Sequence, residues 1–178
     1  VEPGETLPWD RAFALAQGDA PFDPAAPTWL QKTHFLCLMA NARAALVKSS
    51  FDAASGRLTM ATPDGGAISE DALSAEGRGR IGVWLAAWLG PEARGTPRFH
   101  HVPGHSFCDV NAKVVSLINL ASIADLARHA GAPRHHLRFR ANLYFSGATP
   151  WSEFSWIGRE LLVGGARLRV GEQLPLRI

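Results

Sequence analysis

Val114-Val115-Ser116-Leu117-Ile118-Asn119, running on into Leu120-Ala121-Ser122-Ile123-Ala124-Asp125-Leu126-Ala127-Arg128-His129, is the stretch that decides the fold. Val114 to Ile118 reads as a short buried strand. Asn119 or Ser122 caps a helix that runs to His129, and Gly131 and Pro133 close it. A strand leading straight into a capped helix presents free backbone N–H groups, which favour an anion. Downstream, Ala141 to Phe145 reads as a strand. Leu161–Val163 and Ala166–Val170 read as a hairpin around Gly164-Gly165, a favoured two-residue turn. Upstream, Arg11 to Ala16 alternates with Phe13 and Leu15 on one face. Ala44 to Phe51 is an apolar run, and Leu58 and Met60 alternate with polar partners before the turn Pro63-Asp64-Gly65-Gly66. Pro21 to Pro27 reads as a loop, with Trp29 and Phe35 folding back over the core.

One long helix interrupts the strands. From Ser69, with Glu70 and Asp71 at the end that favours negative charge, Leu73, Gly77, Ile81, Trp84, Leu85 and Trp88 recur at three- and four-residue steps until Gly90-Pro91. Gly77, Gly79 and Gly82 each weaken it by roughly 1 kcal/mol against Ala. Residues 91–104 read as loop. Strands do not alternate regularly with helices, which excludes a doubly wound parallel sheet. The prediction is a β-rich α+β fold, a barrel or strongly bent mixed sheet with inserted helices. It divides into 1–90, barrel-like with the linking helix, and 91–178.

The chain has 178 residues, 47% hydrophobic and 19% charged, enough to bury a core. Lys+Arg 18 against Asp+Glu 16 gives a net +2, too weak a balance for a nucleic-acid partner. Two cysteines outside any CxxC pair exclude a disulfide scaffold and a zinc knuckle, and a reducing, cytoplasmic compartment fits. No apolar run approaches the roughly 20 residues of a membrane span. The N-terminal Val1–Arg11 segment has neither signal nor transit character.

The candidate chemistry narrows quickly. His100, His101 and His105 cluster, but Pro103-Gly104 breaks any helix that could align them on a metal. His135-His136 reads as a solvated turn. There is no GxSxG elbow, Walker loop or GxGxxG. The arginines offer more. Arg138 and Arg140 stand two apart entering the strand Ala141–Phe145, with Asn142 next on the same side. Two guanidiniums and an amide make a candidate anion clamp, since the planar donor fork suits phosphate. Ser116 and Asn119 supply further donors at the strand-to-helix junction. The alternative is a charged strand edge facing water, with Asn119 simply capping its helix. Trp151, Phe154 and Trp156 around Glu153 read as a lid over the core.

Gly104–Gly131 with Arg138-Phe139-Arg140-Ala141-Asn142, Trp156-x-Gly158 and the final hairpin resembles the MOSC domain of molybdenum-cofactor sulfurases and amidoxime-reducing components. Leu7-Pro8-Trp9-Asp10-Arg11-Ala12-Phe13 is similar to the opening of the β-barrel domain that often precedes it. The resemblance implies a molybdenum cofactor (molybdopterin), a pterin carrying the metal on its dithiolene and a phosphate at its far end. It also implies a cysteine thiolate on the metal. By the same resemblance Arg140 and Asn142 hold the pterin or its phosphate, Ser116 and Asn119 share the pocket, and Arg11 closes it. The family's thiolate follows the last hairpin in an RCxxT-like segment, and a YPVKS-like segment precedes the first domain; the sequence stops short of both. Either it is trimmed at both ends, or disordered ends are left out of it, or it is a cofactor-free relative. Cys108 reads as a buried inert thiol and Cys37 as core.

The implied activity is oxo transfer, reducing N-hydroxylated small-molecule substrates, with electrons from a separate redox partner protein. The alternative is a non-catalytic module that carries the cofactor, a sulfur group or another phosphorylated ligand. Neither involves nucleic acid or membrane.

Overall fold

A computed structural model of the chain describes residues 7–171. The two chain ends discussed above lie outside the described residues. The chain divides into two compact units, one ending at Lys113 and the other beginning at Val114. Among the described residues the fold is a strand-rich α+β arrangement with two α-helices and four small sheets, none of which closes into a barrel.

In the 7–113 unit, β1 (Phe13–Ala16) pairs antiparallel with β5 (Arg98–His101), and β2 (Lys48–Asp52), β3 (Arg57–Ala61) and β4 (Ala67–Asp71) form an antiparallel meander. Helix α1 (Ala75–Leu89) packs on β4 and β5. Ile81, Leu85 and Leu89 form its inner stripe, and with Met60 and Phe99 they make the core, where Trp84 and Trp88 are partly buried. Each large apolar side chain so buried contributes about 1.5–3 kcal/mol.

The helix begins later than its charge pattern suggests. Ser69–Asp71 belongs to β4, paired with β3 in the register Thr59↔Ser69 and Arg57↔Asp71. Ser74 is the cap, its Oγ accepting from Gly77 N at 3.0 Å. Glu70 still serves the helix from the strand, taking both Arg80 Nε and Nη2 at 2.7 Å. Gly77 and Gly82 are close approaches rather than weak points: a Cβ would lie 2.1 Å from Asp71 O at the first and 2.3 Å from Pro97 O at the second.

Two further segments differ from their sequence patterns. Ala42–Leu46 is a 3-10 turn, and the strand begins only at Lys48. The supposed loop 91–104 contains β5, whose Arg-Phe-His-His sequence hides its alternation. Phe99 enters the core, whereas the His100 ring meets Phe22 at 4.9 Å. Because β5 pairs with β1, the chain stays in the first unit beyond residue 90. Phe35 folds back as expected, onto the cluster of Ala16, Ala20 and Phe22, and Trp29 donates its indole N–H to Cys108 O at 3.1 Å. Cys37 is half-buried beside exposed Leu38 and Met39, so that segment is less core-like than its apolar sequence implies.

In the 114–171 unit, β6 (Leu117–Asn119) pairs in parallel with β7 (Leu143–Phe145). Such a pair needs a crossover, and α2 (Leu120–His129) lies within it. The hairpin of β8 (Glu160–Val163) and β9 (Ala166–Arg169) turns at Gly164-Gly165 as the sequence predicts, with Gly164 at φ 60°. No helix among the described residues is long and apolar enough to cross a membrane.

Candidate functional site

The candidate residues lie at both ends of the β6–β7 pair, with Ser116 and Asn142 at its N-terminal end. Ser116 and Asn142 meet there. Asn142 Oδ1 accepts from Ser116 N at 3.0 Å and from Ser116 Oγ at 2.9 Å, while Asn142 N donates to Ser116 Oγ at 3.0 Å. Leu143 N donates to Ser116 O at 3.0 Å and continues the bond pattern into the strand pair. Two segments 26 residues apart are thus joined by side chain and backbone together.

Asn119 is fully buried and caps α2, its Oδ1 accepting from Ala121 N at 3.1 Å. Its Nδ2 donates to Thr149 O at 2.9 Å and reaches Glu153 Oε2 at 3.3 Å. Ser122 gives the other half of this network: Oγ donates to Glu153 Oε1 at 2.7 Å and accepts from Trp151 N at 2.8 Å. Trp151 Nε1 donates to Asp125 Oδ2 at 2.8 Å. That bond, with the Arg128 guanidinium beside it, holds the Asp125 carboxyl below its ordinary range. The aromatic segment is a 3-10 turn, Ser152–Trp156, fastened by polar bonds, and Phe154 is exposed on it and does not cover a core. Sequence reasoning missed Ser122 and Glu153 as partners. The available signal was a carboxylate set among aromatics, which a buried setting obliges to find donors.

The arginines are placed differently from the strand pattern drawn from the sequence. His136–Phe139 is a 3-10 turn that includes Arg138, and Arg140 follows it at φ 51°, in the left-handed region. Period-two alternation therefore does not relate Arg138, Arg140 and Asn142, since a turn and a left-handed residue replace the extended backbone it requires. The turn is fixed from β7: Tyr144 Oη donates to His136 O at 3.2 Å and accepts from Ala141 N at 3.0 Å. Arg138 and Arg140 are exposed, and the salt bridges of this unit among the described residues, Arg128–Asp125, His129–Asp125 and Arg167–Glu160, involve neither. Arg134 and the rings of His135 and His136, stacked at 4.6 Å, stand in the same short segment. The turn 134–140 is therefore a cationic ledge on the Ser116–Asn142 joint.

Arg11 lies in the 7–113 unit. It sits at φ 52° and pairs with Asp10 at 2.5 Å, while its carbonyl accepts from Phe107 N at 2.9 Å.

The remaining candidates are also in that unit. His100 and His101 are on β5, and His105 follows it. Burial pushes all three imidazoles below their ordinary range, aided by Arg98 and Arg78 at His100, Arg78 at His101 and Lys113 at His105. Among the described residues no group of three His, Cys, Asp or Glu side chains is placed to hold a metal ion. Cys108 is buried with its sulfur 3.2 Å from Ser106 Oγ.

Chemically, the 134–140 ledge suits one end of the cofactor that the MOSC resemblance implies. Exposed guanidiniums free of carboxylates among the described residues offer donor forks to a phosphate. Both cysteines of the given sequence, Cys37 and Cys108, belong to the 7–113 unit. The chain matches no family model and no curated protein.

Proposed function

We propose that this is a MOSC-type protein whose 114–171 unit binds the phosphorylated pterin of a molybdenum cofactor. The observation that carries the reading is the Ser116–Asn142 joint. It unites the two segments on which the resemblance rests and holds the Arg138–Arg140 turn beside them. In this reading Arg138 and Arg140 bind the phosphate directly. Ser116 and Asn142 position the ledge, while Asn119 fastens the other end of β6. When bound, the group supplies a metal centre that exchanges an oxo group with a two-electron change. The finer reading is reduction of N-hydroxylated small molecules in the cytoplasm with a separate electron donor, on a fold that closes into the family's barrel.

The exposed Arg138–Arg140 turn, whose guanidiniums suit any phosphate, also fits a second reading, a non-catalytic carrier that holds cofactor, a sulfur group or another phosphorylated ligand. The full-length protein, made in a host that synthesises the cofactor, separates the cases. Molybdenum and phosphorylated pterin near one per chain, with turnover of an N-hydroxylated amidine by a supplied reductant, supports the enzyme. The same content without turnover supports the carrier. Arg138→Ala and Arg140→Ala should each weaken pterin retention by about 1.5–3 kcal/mol, and protein free of both pterin and metal overturns cofactor binding in either reading.

A further inference from the structure

A cavity of about 500 Å³ lies in the 7–113 unit between one flank of α1 and the segment 96–101. It is an open groove: Val83 on its wall is 64% exposed. Val83, Pro97 and Phe99 give it an apolar surface, Arg78 and Arg98 are its cations, and no acidic residue lines it.

The two arginines differ from others in the same unit. Arg11 pairs with Asp10, Arg80 with Glu70 and Glu76, and Arg94 with Asp19. Arg78 and Arg98 make no ion pair among the described residues. Arg78 Nη1 donates to Leu73 O at 2.6 Å and to Ala72 O at 3.3 Å, and Arg98 Nη2 donates to Ala20 O. These bonds orient each guanidinium and use only part of its five-donor fork. Both groups are also close enough to depress His100, which lines the same cavity. A neutral imidazole leaves the two arginines as the charge of the site.

Gly79 marks the rim of the groove. Gly77 and Gly82 are required by close backbone contacts, but a Cβ at Gly79 would meet nothing within 4 Å. Gly79 is exposed there, where a larger side chain would reach over the groove.

We propose that this cavity binds a small amphiphile, with an oxyanion head held between Arg78 and Arg98 and an apolar body against Val83, Pro97 and Phe99. The site is separate from the pterin reading and stands without it.

The test is titration of the full chain with hexanoate and hexyl phosphate, the two sources of oxyanion, and with 1-hexanol as the uncharged control. Calorimetry gives the affinity, and the His100 and His101 imidazole resonances give the location. At least one anion should bind tenfold or more tightly than hexanol and raise the titration midpoints of these histidines. The tighter of the two identifies carboxylate or phosphate as the head group. Arg78→Gln and Arg98→Gln should each weaken it about tenfold. Gly79→Leu should abolish binding while leaving the melting temperature equal or higher. Hexanol binding as well as both anions, or anion binding unchanged in Arg98→Gln and Gly79→Leu, would overturn the proposal.

Discussion

Around Ile81, Leu85, Leu89 and Phe99 the 7–113 unit is held by apolar side chains packed between a helix and two sheets. The 7–113 unit also buries the amide pair Gln17–Asn41 beside that core, whereas in the 114–171 unit the largest fully buried side chain among the described residues is itself an amide, Asn119, with Ser122, Glu153 and the backbone of the 149–151 segment gathered around it. The difference has physical consequences. An apolar core is non-directional and loses stability in proportion to the volume removed. A buried polar network depends on every partner, because each group left unpaired retains its desolvation cost.

The largest effect is expected where the apolar core is deepest. Ile81→Ala removes a fully buried side chain and should cost about 2–5 kcal/mol, read as lost amide protection in α1 and β5. Ile81→Val should cost only about 0.5–1.5 kcal/mol, the graded response that packing gives. A cost for Ile81→Val equal to that for Ile81→Ala would break the comparison.

Asn119→Ala comes next, at about 2–3 kcal/mol, since it removes a cap and leaves the Thr149 carbonyl and Ser122–Glu153 pair short of a donor. Here a conservative change should not rescue. Asn119→Asp keeps the cap acceptor and the shape, but it replaces the Nδ2 donor with a carboxylate facing Glu153. Denaturant midpoints should therefore fall nearly as far for Asn119→Asp as for Asn119→Ala, and full rescue would show that the network is not the organising element.

The same contrast explains what could be read from the sequence. Helix α1 was legible because Ile81, Leu85 and Trp88 repeat on one face. The β8–β9 hairpin was legible because Gly164-Gly165 supplies the turn, and α2 because Asn119 is a cap residue at a strand end. These are local rules. The start of α1 was misplaced because Glu70 acts on Arg80 across ten residues from a strand, which charge alone does not distinguish from a first helical turn. Strand β5 was hidden because its inward residues include imidazoles. At the candidate site, Ser116 and Asn142 were named as co-located, but the geometry around them was not readable. A single left-handed residue, Arg140, cancels the alternation that the Arg-x-Arg-x-Asn spacing suggests. The Ser122–Glu153 bond joins positions 31 apart and leaves no periodic trace.

Acid should act on the two units in sequence. Burial, then Arg98 and Arg78, holds His100 below its ordinary value of 6.5. The unfolded chain therefore takes up a proton near 6.5 that the folded chain refuses. The associated stability is complete above that pH and is lost as pH falls towards the folded value. His101 and His105 act in the same direction. In the 114–171 unit the depressed group is Asp125, whose contribution is lost only as pH falls below its ordinary 3.8. Denaturant midpoints followed by amide protection in α1 and β5 should fall between pH 7.5 and 5.5, and His100→Gln should flatten that slope. A slope unaffected by His100→Gln would remove burial of this imidazole as its cause.

The smallest effect is the most informative about the ledge. Arg140 holds a left-handed conformation that costs a non-glycine residue about 1–2 kcal/mol. Glycine avoids that strain, although its greater unfolded-state freedom returns part of the gain. Arg140→Gly should therefore stabilise the unit by about 0.5 kcal/mol, whereas Arg140→Ala should not. Both should lose phosphate or pterin binding to the same extent, because both remove the guanidinium. Stability rising while binding falls would mark Arg140 as a residue whose strain accompanies a ligand-facing role. A binding loss confined to one of the two variants would instead assign the effect to the backbone of the turn. In that case Arg138 alone, held by the 3-10 turn that Tyr144 fixes, would be left as the direct donor.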